Sequence, residues 1–225
     1  EKIVFQNINS YKYYIKLFKK NKIYCWVNCP NRFYNSYNNI KKFINNTDPI
    51  SMIVSGGNWS LLSNFVHYTD LFSYLINEKN FFIDQFELEN NIIKSKRKEF
   101  VEFNGIISIK NNFGSFLTIV HNDTKSNVNI KINQSKFSFI FNQNENFAMM
   151  NCKRSNKLKK IKFKIPFQSE LTKLYCRQVF DKNKINLPTL EEHYLFNKDV
   201  FNKIANHYNP KNAKNAKKIN YIPIT

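Results

Sequence analysis

The chain has 225 residues, enough for one or two domains with a real core. Apolar residues at 42% and aromatic residues at 16% exclude a disordered chain, and no apolar run nears the roughly 18 residues needed to span a bilayer. Against 16 acidic side chains stand 35 basic ones, a formal charge of +19, and a field of that size points to a polyanionic partner.

The organisation expected along the chain is four segments: a basic aromatic N-terminal segment (1–58), a compact module (59–110), a β-rich basic segment (111–186) and a C-terminal tail (187–225). In the first, Tyr11, Tyr14, Ile15 and Phe18 recur at helical spacing. Lys12, Lys16, Lys19 and Lys20 fall on the other side, so the helix lies either on a charged surface or over the core. Residues 2–47 hold no acid, which is transit-peptide-like in charge, but the segment is too aromatic for an address label alone. Cys25 and Cys29 have the spacing of half a zinc site, but ordinary reduced thiols are the better reading, since Cys152 and Cys176 are isolated.

In the second segment Trp59, Leu62, Phe65 and Val66 predict a short helix. A second follows, with Thr69 as N-cap, Asp70 in its first turn, a stripe of Leu71, Phe72, Leu75 and Ile76, and Asn80 as its end. Phe81-Phe82-Ile83 and Phe86-Glu87-Leu88 read as a hairpin about Asp84-Gln85. A basic cluster (Lys94, Lys96, Arg97, Lys98), a turn at Phe103-Asn104-Gly105 and a strand over Ile106–Ile109 complete the module.

This order resembles the RNA-binding domain named after protein four of the small ribosomal subunit. Asn64-Phe65, Tyr74-Leu75-Ile76, Phe82-Ile83-Asp84-Gln85 and Phe103-Asn104-Gly105 stand where that family has its Gly-Phe, Gln-Leu-Ile, Val-Asn-Gly and Pro-Gly-Asp features. The family's Arg-Leu-Asp opening and the arginines of its second helix are missing. The fold class implied is α+β: a small two-helix plus hairpin RNA-binding module, with a β-rich middle segment and basic N- and C-terminal extensions.

Further on, Val128, Ile130 and Ile132, then Phe137, Phe139 and Phe141, alternate with polar residues around a turn at Asn133-Gln134-Ser135. Ile161, Phe163 and Ile165 alternate with Lys160, Lys162 and Lys164, which puts the lysines on one face of a strand. With Lys153, Arg154, Lys157 and Lys159 this is the densest local charge of the chain, either phosphate-binding or the solvated edge of a sheet. Residues 169–180 are helix-like, and Thr189-Leu190-Glu191-Glu192 has capping-box spacing for a helix to about Tyr208. Leu187-Pro188-Thr189 with His193-Tyr194-Leu195 also resembles the Leu-Pro-x-x-Tyr-x-Glu signature near the end of mitochondrial members of that ribosomal family, whose tail is mostly extended.

No enzyme signature stands out. Four glycines leave no Gly-rich phosphate cradle, His67, His121, His193 and His207 are scattered, and Glu191-Glu192-His193 lacks the second His of a zinc protease. With no such signature, what the resemblance implies is a non-enzymatic structural protein of the small subunit of a mitochondrial ribosome, in the matrix, with a plastid-type organelle as the lesser option. The crowding of Lys, Asn, Ile and Phe fits an A/T-rich organellar gene. Its partners would be rRNA and neighbouring ribosomal proteins, with no membrane, cofactor, metal or small-molecule substrate. The RNA-binding side chains would be Lys16, Lys19, Lys20, Lys94, Lys96, Arg97, Lys98, Lys153, Arg154, Lys157, Lys159, Lys160, Lys162 and Lys164. An organelle-specific assembly factor or membrane-complex subunit with a basic surface is the alternative.

Overall fold

The structure, a computed structural model, describes residues 3–208 and Ile224, apart from Asn58, Lys96, Asp123, Gln143, Asn144, Asn146, Asn156 and Asn183. The tail from residue 209 and Lys96 of the basic cluster lie outside the described residues. The chain opens with α1 (Ile8–Lys20), a 3-10 turn (Pro30–Phe33) and α2 (Asn35–Lys41). Strand β1 (Ser51–Gly56) leads into α3 (Leu61–Ile76) and β2 (Phe82–Leu88). A two-strand hairpin, β3 (Ile93–Lys94) and β4 (Val101–Glu102), precedes β5 (Gly105–Lys110) and β6 (Phe116–His121). Then come β7 (Asn129–Asn133), β8 (Phe137–Asn142), β9 (Phe147–Cys152), β10 (Lys157–Lys162), α4 (Gln168–Lys182) and α5 (Leu190–Tyr208).

Eight strands form one mixed sheet in the order β10-β9-β8-β7-β1-β6-β5-β2. Among the described strands only β1 and β6 pair parallel, because α3 and the excursion through β2–β5 carry the chain between them; the other neighbours are antiparallel. Period two gives the sheet two unlike faces. Paired positions on one face run Ile161, Ala148, Phe141, Ile130, Val54, Ile119, Ile107 and Phe86 across the sheet. The row beside it on the opposite face runs Lys160, Met149, Ile140, Lys131, Ile53, Thr118, Ser108 and Gln85. The apolar face meets α3, which α5 covers in turn, and α5 also packs on α1. Helix α3 is apolar nearly all round, with Leu61, Leu62, Phe65, Val66, Leu71, Phe72 and Leu75 fully buried, as a helix between two layers must be.

This architecture corrects the expected small two-helix module. The two short helices are one, since nothing between Val66 and Leu71 breaks it. Thr69 is no cap: it is buried inside α3, its hydroxyl beside the Val66 carbonyl and the Asn197 side-chain oxygen. The helix ends at Asn77, whose φ of 55° is the left-handed cap geometry, and not at Asn80. The expected hairpin over 81–88 is the single strand β2, with a register shift between Ile83 and Gln85 where the turn was placed. The β-rich reading of 128–141 matches β7 and β8. The capping box is made: Thr189 N donates to Glu192 Oε2 at 3.1 Å and Glu192 N to Thr189 Oγ1 at 3.2 Å. That helix displaces the extended tail that the ribosomal resemblance implied.

Candidate active site

The predicted basic residues sit on separate elements. Lys16, Lys19 and Lys20 are on the exposed side of α1, where Lys19 pairs with Glu191 at 2.7 Å. Lys94, Arg97 and Lys98 belong to the β3–β4 hairpin, inserted between β2 and β5 at one edge of the sheet. Lys157, Lys159, Lys160 and Lys162 occupy β10 at the opposite edge, with Lys153 and Arg154 in the preceding turn. Lys160 Nζ lies 3.6 Å from the Phe147 ring centroid, Lys153 Nζ donates to the Gln134 carbonyl at 2.7 Å, and Lys164 Nζ is 3.5 Å from Glu170. Among the described residues no three His, Cys, Asp or Glu side chains converge as a metal site, and Cys25 and Cys29 are unbridged thiols. No described helix is long and apolar enough to cross a membrane.

The chemistry gathers instead where β1 passes into α3. A Cβ on Gly57 would sit 1.5 Å from the Thr124 carbonyl oxygen, so only glycine lets the 122–127 segment approach this closely. The turn is fastened by Gly57 N donating to Ser126 Oγ and by the Trp59 indole donating to the Gly56 carbonyl at 3.0 Å. The first turn of α3 has no side-chain cap of its own. The buried Glu102 carboxylate of β4 serves it from afar, accepting from Leu62 N at 2.8 Å, Ser63 N at 3.1 Å and the Ser63 hydroxyl.

One turn on, Asn64, His67 and Tyr68 share a face of α3 by their i, i+3, i+4 spacing. The 3-10 turn closes over them, Asn31 Nδ2 donating to the His67 carbonyl at 3.2 Å. His67, Asn64, Tyr68, Asn31, Tyr34 and Trp59 line a cleft of about 280 Å³. Burial holds the Tyr34 phenol above its ordinary range, so it stays a donor. Next to Asn31, Arg32 of the 3-10 turn grips Asp70 of α3 with a fork: Nε lies 2.9 and 3.0 Å from the two carboxylate oxygens and Nη2 is 2.6 Å from Oδ1. Asp70 is 0% exposed and Arg32 11%. Burial pushes the Asp70 carboxyl up to about 6, against the opposing pull of Arg32. This pair fixes the 3-10 turn to α3, and so fixes Asn31 and Tyr34 relative to His67. The arrangement offers an imidazole for proton exchange among neutral amide and phenol groups suited to hydroxyls. Arg32 also lines a larger cavity, of about 800 Å³, with Tyr24, Trp26, Lys184 and Glu192, and no His or Cys is among its described lining residues.

No protein-family profile and no curated protein matches the sequence. Solved structures do. A Clostridium difficile dehydrogenase matches with a TM-score of 0.59 at 16% identity, over 85% of this chain and 65% of that one. The UDP-N-acetylglucosamine 3-dehydrogenase of Acidithiobacillus ferrooxidans gives 0.64 at 6% identity, over 88% and 66%. A Gfo/Idh/MocA family oxidoreductase from Vibrio cholerae gives 0.58 at 12%, over 96% and 70%. The fold is thus that of these oxidoreductases, and this chain spans about two thirds of their length. The likeness to the ribosomal RNA-binding domain is withdrawn, since it rested on two helices and a hairpin that do not exist. The expectations of a ribosomal role, of rRNA and ribosomal-protein partners, of no small-molecule substrate and of a non-enzyme fall with it, because the chain shares its fold with enzymes.

A dinucleotide cofactor, implied by such neighbours, has no cradle at the one strand–glycine–helix turn of the described residues. The space its glycines leave is filled by the carbonyl side of the 122–127 segment. The α3 amides that a phosphate would use already donate to Glu102. In the sequence alone His67 is one of four scattered histidines. The signal for the site is local: an alternating strand, a Gly-Gly turn, then Asn64, His67 and Asp70 among the few polar residues of a mostly apolar helix.

Proposed function

We propose that this chain supplies the substrate-binding, proton-handling part of an oxidoreductase acting on a hydroxylated small molecule. His67 exchanges the proton of the reacting hydroxyl, and Asn31, Asn64, Tyr34 and Tyr68 orient the molecule by hydrogen bonds. The observation that carries this reading is the His67 cleft itself, set at a strand-to-helix junction of a fold shared with dehydrogenases. The sugar-nucleotide substrate named for one neighbour is of the hydroxyl-rich kind that such a wall suits. The electron acceptor is not assigned to the Gly56-Gly57 turn, whose geometry has no room for its phosphates.

The test is binding of cyclic polyols and neutral sugars, followed by fluorescence of Trp59 in a Trp26→Phe background and by the imidazole NMR signals of His67. Saturable binding that shifts those signals and weakens about tenfold in His67→Ala, the size of one lost hydrogen bond in a desolvated site, is expected. Failure of glucose, N-acetylglucosamine and myo-inositol alike to bind or to move the imidazole signals would sink the proposal.

A further inference from the structure

A second cavity of about 300 Å³ adjoins the cleft, and Trp59 is a wall of both. Its ring centroid lies 5.5 Å from that of Tyr68, on the cleft side, and 5.8 Å from that of His121, on the far side. The indole N–H on the Gly56 carbonyl holds this partition in place. The far cavity is unlike the cleft in charge. Lys94 of β3 and Lys125 of the 122–127 segment line it, with the hydroxyls of Ser60, Ser95 and Thr124. Lys125 stands on a braced backbone: Thr124 N and Oγ1 both donate to Asn122 Oδ1, at 3.2 and 2.6 Å, and Ser126 is bonded to Gly57. Among the described lining residues Glu102 is the one carboxylate, and its oxygens accept from Leu62, Ser63 and the Ser63 hydroxyl. An anion entering the cavity therefore meets two ammonium groups and the hydroxyls of Ser60 and Ser95, and the one carboxylate among the described lining residues, Glu102, already accepts hydrogen bonds from α3.

We propose that the substrate carries a phosphoryl group, held in this cavity between Lys94 and Lys125 while the hydroxylated part lies across the rim of Trp59, the wall the two cavities share, and reaches His67. The inference rests on the reading of the His67 cleft and gives that site its substrate class, a phosphorylated polyol or sugar. The two ammonium groups act as point charges and need no fixed fork geometry, which suits a tetrahedral phosphate.

The test uses the 225-residue chain with Trp26→Phe, so that fluorescence reports Trp59 alone, at moderate salt. Glucose 6-phosphate is expected to bind about tenfold more tightly than glucose, as two partly solvated charge contacts allow. Inorganic phosphate should compete with glucose 6-phosphate and not with glucose. Lys94→Glu with Lys125→Glu should abolish the preference and leave glucose affinity unchanged. His67→Ala should weaken both ligands in parallel and keep their ratio. Lys157→Glu with Lys159→Glu, on the distant β10 edge, changes net charge equally and should leave the ratio untouched. Equal affinity for the two sugars, or an equal loss in the β10 control, overturns the phosphoryl cavity while leaving the cleft standing. Phosphate binding that needs Lys94 and Lys125 without any binding of glucose overturns the cleft, and with it this substrate.

Discussion

Helix α3 and strand β10 carry opposite kinds of information. Strand β10 holds four lysines in six residues, all exposed, at the free edge of the sheet. Helix α3 holds no basic residue except His67, yet three of its polar side chains are bound to distant parts of the chain: Ser63 to Glu102, Asp70 to Arg32, Thr69 to Asn197. Density of charge marks where the chain meets water and where an open edge must not pair with another sheet. Isolated polar residues in an apolar helix mark where structure is over-determined, because each buried group needs a partner that the fold must supply.

The largest test of this contrast is Arg32→Leu, which strands a buried carboxylate. We expect a loss of about 3–5 kcal/mol in urea unfolding at neutral pH. The loss should shrink on acidification. Asp70 is protonated more readily in the folded state than in the unfolded one, so its stabilising contribution is largest at low pH and declines as pH rises through about 6.

The buried His193 sharpens the point from α5. It is fully buried against Tyr11 and Phe201, neither ring nitrogen meets a partner among the described residues, and burial lowers its titration from 6.5 to about 3. A depressed value in the folded state means stability that is complete above 6.5 and lost as pH falls towards 3. Wild type should lose up to about 4 kcal/mol over that window relative to His193→Phe. Parallel pH curves for the two proteins would show that the ring is protonated or solvated in the native state.

Thr189→Ala removes half of a capping box and should cost about 1 kcal/mol, seen as a shifted unfolding midpoint with unchanged slope. Smallest of all, Lys160→Glu and Lys162→Glu should each change stability by less than about 0.5 kcal/mol, apart from the Lys160–Phe147 contact. Unfolding of the double variant would break the comparison, since β10 would then be part of the core and not a solvated edge.

Three elements set by near neighbours along the chain could be read from residue order alone. Period two in 128–141 marks β7 and β8, the i, i+3, i+4 stripe from Tyr11 to Phe18 marks α1, and Thr189 with Glu192 starts α5, because pleat, helical repeat and cap geometry are local. That Val66 and Leu71 belong to one helix depends on long-range packing, since burial between sheet and α5 supplies Thr69 with a partner 128 residues away. Only the tertiary structure placed Arg32 on Asp70 and closed Asn31 over His67, contacts 38 and 36 residues apart in sequence. The strand, the Gly-Gly turn and the polar positions of α3 were legible locally, but the cleft was not: its residues acquire chemistry when long-range pairing fixes them around it.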